Sequence, residues 1–166
     1  MGKILTLFGC LVILMSVLLS GCNTAGCTDL RSSVPRADFY ASGSGGKITV
    51  DSLEITGVGV PGDSVLYGPS DRISQISLPM PPEATSVQWR IAYMQSNLVA
   101  LGLADTISLD FERSPWFAGE ECGAMYKYRI TRLRYTTNII DSVALTDSTV
   151  INIDTQNLAI YFRTSN

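Results

Sequence analysis

Apolar and polar side chains alternate along most of the chain beyond residue 35. The stretch DTISLDFE sets Ile107, Leu109 and Phe111 against Thr106, Ser108, Asp110 and Glu112. Successive side chains of an extended strand face opposite sides, so this spacing predicts a strand with one dry and one wet face. SVQWRIAY repeats the pattern with Val87, Trp89, Ile91 and Tyr93 on the apolar side, which makes Trp89 a core residue. LAIYFR does so with Leu158, Ile160 and Phe162. In MYKYRI, Tyr126, Tyr128 and Ile130 oppose Lys127 and Arg129, and then Leu133 and Tyr135 continue one step out of phase. One extra residue near Thr131–Arg132, a β-bulge, accounts for the slip. ADFYAS, LEITGVGV, SVLYG, ISQISL, VALT and TVINI are less regular strand candidates, and no stretch beyond the leader has a convincing helical period.

Turn signals punctuate these strands at Ser42 to Gly46, Pro61-Gly62-Asp63, Pro79 to Pro82 and Ala118-Gly119-Glu120. Many short, half-wet strands with such spacing predict an all-β fold: an antiparallel, two-sheet, immunoglobulin-like sandwich of about eight or nine strands over residues 36–166. The 166 residues suffice for one such domain.

The N-terminal stretch MGKILTLFGCLVILMSVLLSGC has a different character. Lys3 supplies a positive start, and an uncharged apolar run extends to Leu19. The run is short for a membrane span and no basic stop-transfer cluster follows it. Its end, Leu19-Ser20-Gly21-Cys22, resembles the lipobox of bacterial lipoprotein signal peptides. The resemblance implies removal of residues 1–21, lipidation of Cys22 and a membrane partner held through the N-terminal lipid. Two or more acyl chains anchor stably where one does not. Residues 22–35, small and polar, then read as a lipidated tether.

Charge and cysteine usage take their meaning from this leader. The chain carries 12 basic and 15 acidic residues, a net charge of −3, and loss of Lys3 makes it −4. That balance argues against a nucleic-acid partner, which needs a basic face. Of four cysteines, Cys10 leaves with the leader and Cys22 takes lipid, so Cys27 and Cys122 remain. Outside the cytoplasm their simplest arrangement is one disulfide. Two free thiols or a metal site are the alternatives. Metal is disfavoured because two sulfurs need further ligands and the chain has no histidine.

The missing histidine also removes the commonest general base. Ser44 and Lys47 have a bare Ser-x-x-Lys spacing, but two glycines between them lead into a strand rather than along a helix. The run SGSGG opens no helix and so lacks the context of a phosphate loop. Asp110 and Glu112 could form a catalytic carboxylate pair, but on an alternating strand a solvated face is the plainer reading. Lys127, Arg129, Arg132 and Arg134 could meet anionic lipid or an acidic glycan. The plainer reading pairs them across the sheet with Asp110 and Glu112. Asp-Ser pairs at Asp51, Asp63 and Asp141, with Asp147-Ser148, lack calcium-loop spacing and read as turn-setters. The loop Arg113 to Gly123 holds Trp116 and Phe117, candidate ligand-binding aromatics for a sugar or a protein partner unless they cover the disulfide or cap the core.

The residues DSLEIT, SLPM, ECG, IDSV and NLAIYF, with Cys27 soon after the lipid cysteine, resemble small lipoproteins of unknown function from anaerobic Gram-negative gut bacteria. That resemblance implies one β-rich domain with Cys27 paired to Cys122 and no catalytic residues. Asn23 is not the aspartate that resembles an inner-membrane retention signal, and the tether lacks the acidic run that resembles a surface-export signal. The expected protein is therefore a lipoprotein of the outer membrane facing the periplasm. It is expected to act without cofactor or catalysis as a binding or scaffolding module for an envelope component. The alternative is a glycan-binding module.

Overall fold

The computed structural model describes residue 27 and residues 32–59, 64–69 and 72–164. The leader, the lipidation site Cys22, most of the tether and the turn residues Pro61, Gly62 and Asp63 lie outside the described residues. In chain order the strands are β1 (Arg36–Ala41), β2 (Val50–Asp51), β3 (Leu53–Gly57), β4 (Val65–Tyr67), β5 (Arg72–Ile73), β6 (Gln75–Ser77) and β7 (Ser86–Tyr93). One helical turn, α1 (Ser96–Val99), precedes β8 (Ala104–Phe117), β9 (Ala124–Tyr135), β10 (Ile140–Leu145), β11 (Thr149–Val150) and β12 (Gln156–Phe162).

A sheet in the order β10-β12-β1-β6 packs against one in the order β11-β9-β8-β7-β3-β4, and β2 and β5 form a small separate ribbon. The sandwich is as expected, but the twelve strands among the described residues exceed the eight or nine read from alternation. The surplus is in pieces such as β2, β5 and β11, two residues each, too short to show a period. The likeness to immunoglobulin domains is one of architecture, since their constant type sets four strands against three. One pairing departs from the antiparallel expectation: β1 runs parallel to β12, bringing the first and last strands together at the centre of their sheet.

Alternation places one continuous core between the two sheets. Phe39, Ile140, Leu158, Ile160 and Phe162 meet Leu53, Ile55, Trp89, Ile91, Ile107 and Leu109 there. Phe39 and Phe162 contact edge to face, with ring centroids 5.0 Å apart. Each large apolar side chain removed from water contributes about 1.5–3 kcal/mol, which is what holds the sheets together. Trp89, 1% exposed, is a core residue.

The longest elements, β8 and β9, form a hairpin whose register slips between Asp110 and Phe111. Asp110 pairs with Arg132 and Phe111 with Ile130, so Thr131 is the extra residue, as the phase change predicts. Two turn assignments are also visible. Thr149 N donates to Asp147 Oδ1 at 2.8 Å. Ser52 takes a φ of 54°, the only positive value outside glycine among the described residues, where the chain leaves β2 for β3. The tether reading needs correction at its end: Ser33 and Pro35 are buried, and Leu78 N donates to Pro35 O at 3.0 Å. The folded unit therefore includes residues before 36.

Candidate functional site

The outer face of the six-stranded sheet carries most of the charged residues singled out above. Asp110 accepts two hydrogen bonds from Arg134, each 2.8 Å, and lies 3.9 Å from Arg132. Glu112 pairs with Arg129 directly across the hairpin. The hydrogen bond from Arg134 holds the Asp110 carboxyl below its usual range, and Asp110 in turn raises Arg134. These are ion pairs on an open strand face, where solvent screening leaves such contacts weak. A general acid needs a carboxyl kept protonated near neutral pH, and the Asp110 environment pushes the other way.

The Ser-x-x-Lys spacing likewise resolves into structure. Ala41 to Gly46 close a tight turn, with Gly45 N donating to Ala41 O at 2.8 Å and Gly45 at a φ of 68°. Lys47 leaves that turn to meet the buried Asp38, Nζ to Oδ2 2.6 Å. Its hydrogen bond and attraction to Asp38 raise the Lys47 pKa, whereas a lysine acting as base must be lowered. Arg36 Nε lies 3.0 Å from Asp38 Oδ1 as a second ion pair, off the hydrogen-bonding angle.

A buried cluster that the sequence reading missed lies on the dry face. Asp105 is fully buried and accepts from the hydroxyls of Tyr93 and Thr136 and from the backbone N–H groups of Asn138, Ile139 and Ile140. Burial raises its carboxyl, but those donors outweigh burial and its pKa is lowered. The signal was present: Asp105 has the parity of Ile107 and Leu109, which puts a carboxylate on the apolar face.

The remaining candidates converge on the end of the β8–β9 hairpin. The expected loop from Arg113 is strand as far as Phe117, so Trp116 and Phe117 sit on β8 rather than in a loop. Trp116 pairs with Met125 and Phe117 with Ala124. Beyond Asp110, β8 has no β7 partner, and an unpaired side is where a strand tolerates proline, here Pro115. Inward-phase positions that are buried at Ile107, Leu109 and Phe111 become exposed at Arg113, Pro115 and Phe117. The last six residues of β8 thus form an arm of about 20 Å that outruns the opposite sheet. Phe117 is 64% exposed and Tyr126 39%, Trp116 is half-buried, and the Arg113 guanidinium lies 5.3 Å from the Tyr126 ring centre.

At the tip, Cys122 forms a disulfide with Cys27, Cα to Cα 4.7 Å. This bond ties the start of the described chain to the end of the arm. A cavity of about 320 Å³ lies between that N-terminal segment and the arm, lined by Ser33, Val34, Met80, Met125 and Tyr128 among others. A more polar one of about 290 Å³ on the arm's flank is lined by Glu112, Ser114, Lys127, Arg129 and Thr149 among others. Trp116 lines neither. It faces the side opposite to Phe117, so the two rings do not make one stacking platform. Among the described residues no group of three or more His, Cys, Asp or Glu side chains is placed to hold a metal ion. No helix among them is long and apolar enough to cross a membrane.

No curated protein and no solved structure matches the chain. A family model does, described as a family of unknown function, DUF6452, and it matches residues 52–162. The match runs from β3 through β12 and takes in the six-stranded sheet, the hairpin arm and Cys122, but not β1 of the four-stranded sheet. It covers about two thirds of the sequence, and the chain therefore belongs to this family, DUF6452.

Proposed function

We propose that this protein is a lipid-anchored module of the bacterial cell envelope, cleaved before Cys22, acylated there, and held at the outer membrane facing the periplasm. Its sandwich binds or scaffolds another envelope component without catalysing a reaction. The observation that supports this reading is the Cys27–Cys122 disulfide. Such a bond belongs to a non-reducing compartment, and it occupies the second cysteine of SGCNTAGC while Cys22 stands at the end of the leader-like run. The commitment of Asp110 and Glu112 to arginines, and of Lys47 to Asp38, supports a binding rather than a catalytic role.

Mass spectrometry of the N-terminal peptide from membrane-extracted protein tests the anchor. A diacylglyceryl-cysteine mass at Cys22, and release of Cys22→Ser from the membrane fraction, are expected. An unmodified N-terminus at Met1 would overturn it. Crosslinking in intact envelopes tests the binding role, which predicts a reproducible adduct that is absent after deletion of the protein. Glycan binding is the second reading, favoured by the exposure of Phe117; it requires that Trp116→Ala or Phe117→Ala abolish retention on a glycan array.

A further inference from the structure

Three features meet at one end of the molecule. The β8–β9 arm projects past the sandwich and carries Pro115, Phe117 and Tyr126 on one side and Trp116 on the other. A large aromatic left 64% exposed at the end of a hairpin is an apolar surface without a protein cover among the described residues. The disulfide joins this tip to Cys27, and Cys27 is five positions from Cys22. Five residues span at most about 18 Å even when fully extended, so an acyl anchor on Cys22 cannot lie far from the tip.

We infer that the tip of the β8–β9 hairpin is a membrane-contacting surface, with Phe117 and Trp116 seated in the headgroup region of the bilayer that holds the Cys22 lipid. This rests on the lipid-anchor reading above and deepens it, because it gives the sandwich a defined orientation. Tyrosine and tryptophan favour such interfaces, where an apolar ring and a polar group are both satisfied. Lys127, on the arm's outer face, has no ion-pair partner among the described residues and lies toward the tip from the Arg129–Glu112 pair, where it can meet lipid phosphate. Glu120 and Glu121 in the turn oppose strong attraction to anionic lipid, so the contact is driven by the aromatic rings and the tether rather than by net charge. The disulfide then has a second consequence besides stability: it leaves only five positions between Cys22 and the bond at the surface to be docked.

Lipid-bearing protein extracted from membranes and reconstituted into phosphatidylethanolamine–phosphatidylglycerol vesicles, with bromine on the upper part of the acyl chains, tests this. Trp89 is in the core and Trp116 is not, so wild-type tryptophan emission should fall in brominated vesicles, and Trp116→Phe should abolish the fall. Phe117→Asp, an exposed substitution, should reduce it. Equal emission in brominated and plain vesicles, with the acyl mass present on Cys22, overturns the docking and leaves the anchor intact. Absence of the acyl mass overturns both. A Trp116 emission shift with a soluble peptidoglycan fragment but none with vesicles assigns the tip to a glycan and also overturns the inference.

Discussion

The hydroxyl of Tyr93 donates to Oδ2 of Asp105 at 2.7 Å inside the sandwich, and both side chains are at most 2% exposed. The residues lie on neighbouring strands β7 and β8, and the same carboxylate collects three backbone N–H groups from the segment that enters β10. One side chain of the six-stranded sheet thus sets where the chain crosses to the four-stranded sheet. Asp105→Ala leaves those donors without a partner and is expected to cost about 3–5 kcal/mol. Tyr93→Phe removes one of five donors and should cost about 1–2 kcal/mol. Urea midpoints at constant m-value measure both; a loss under about 1 kcal/mol for Asp105→Ala would refute the role given to it.

The same pair contributes to the response to pH, beside Asp110, which is also lowered, and Lys47 and Tyr128, which are also raised. The Asp105 carboxyl is lowered in the folded state, so its contribution is complete above the unfolded value, about 4. It is lost as pH falls through the lower folded value. Tyr93 is raised, by burial first and then by its bond to Asp105. Its contribution is complete below about 10 and declines as pH rises above that value, because only the unfolded chain ionises. Stability should be flat between these limits and fall outside them. Asp105→Asn should make the acid limb shallower, and Tyr93→Phe the alkaline limb. Unchanged limbs in both variants would show that other groups set them.

The Cys27–Cys122 bond closes a separation of 95 residues. Chain-entropy arithmetic for a loop of that length gives about 4–5 kcal/mol as an upper value. Cys27→Ser with Cys122→Ser should lower the unfolding free energy toward that amount, and hydrogen exchange should rise first in residues 112–129 of the arm. Mass spectrometry of non-reduced peptides should link Cys27 to Cys122; two free thiols would contradict the bond.

Asn152, between β11 and β12, is fully buried with no hydrogen-bond partner for either amide atom among the described residues. A buried amide of this kind costs free energy, and an apolar side chain of like shape removes the cost. Asn152→Leu is therefore expected to keep or raise the melting temperature. A clear fall, with an ordered water at the wild-type amide in a crystal structure, would show that the amide is satisfied by solvent.

Local pattern determined a good deal of this protein. Period-two alternation was enough for β7, β8 and β9 because each has one covered and one largely wet face; β12 alternates in sequence although Asn157 and Ala159 on its second face are also buried. The phase slip located the bulge at Thr131 for the same reason. Opposite charges on one wet face, Asp110 and Glu112 against Arg129, Arg132 and Arg134, predicted ion pairs because facing side chains on adjacent strands must meet. Two cysteines left over from a leader-like start predicted their own bond, and family membership adds no function to what the residues imply.

Tertiary structure decided the rest, because it depends on which distant segments become neighbours. Nothing within β1 or β12 says that they pair, and in parallel, since some 120 residues separate Arg36 from its partner Gln156. Pro115 and the glycines beyond it made residues 113–123 read as a loop. The segment is strand as far as Phe117 because β7 ends opposite Asp110 and leaves β8 an edge on which proline costs no ladder bond. Asp105 has the alternation of a core residue and the chemistry of a surface one. Only the arrival of Asn138, Ile139 and Ile140 from another part of the chain makes its burial tolerable. Phe117, likewise, continues the apolar phase of β8 and would be buried if the opposite sheet extended that far. The opposite sheet stops short, and the length of a facing layer is not written in the strand it fails to cover.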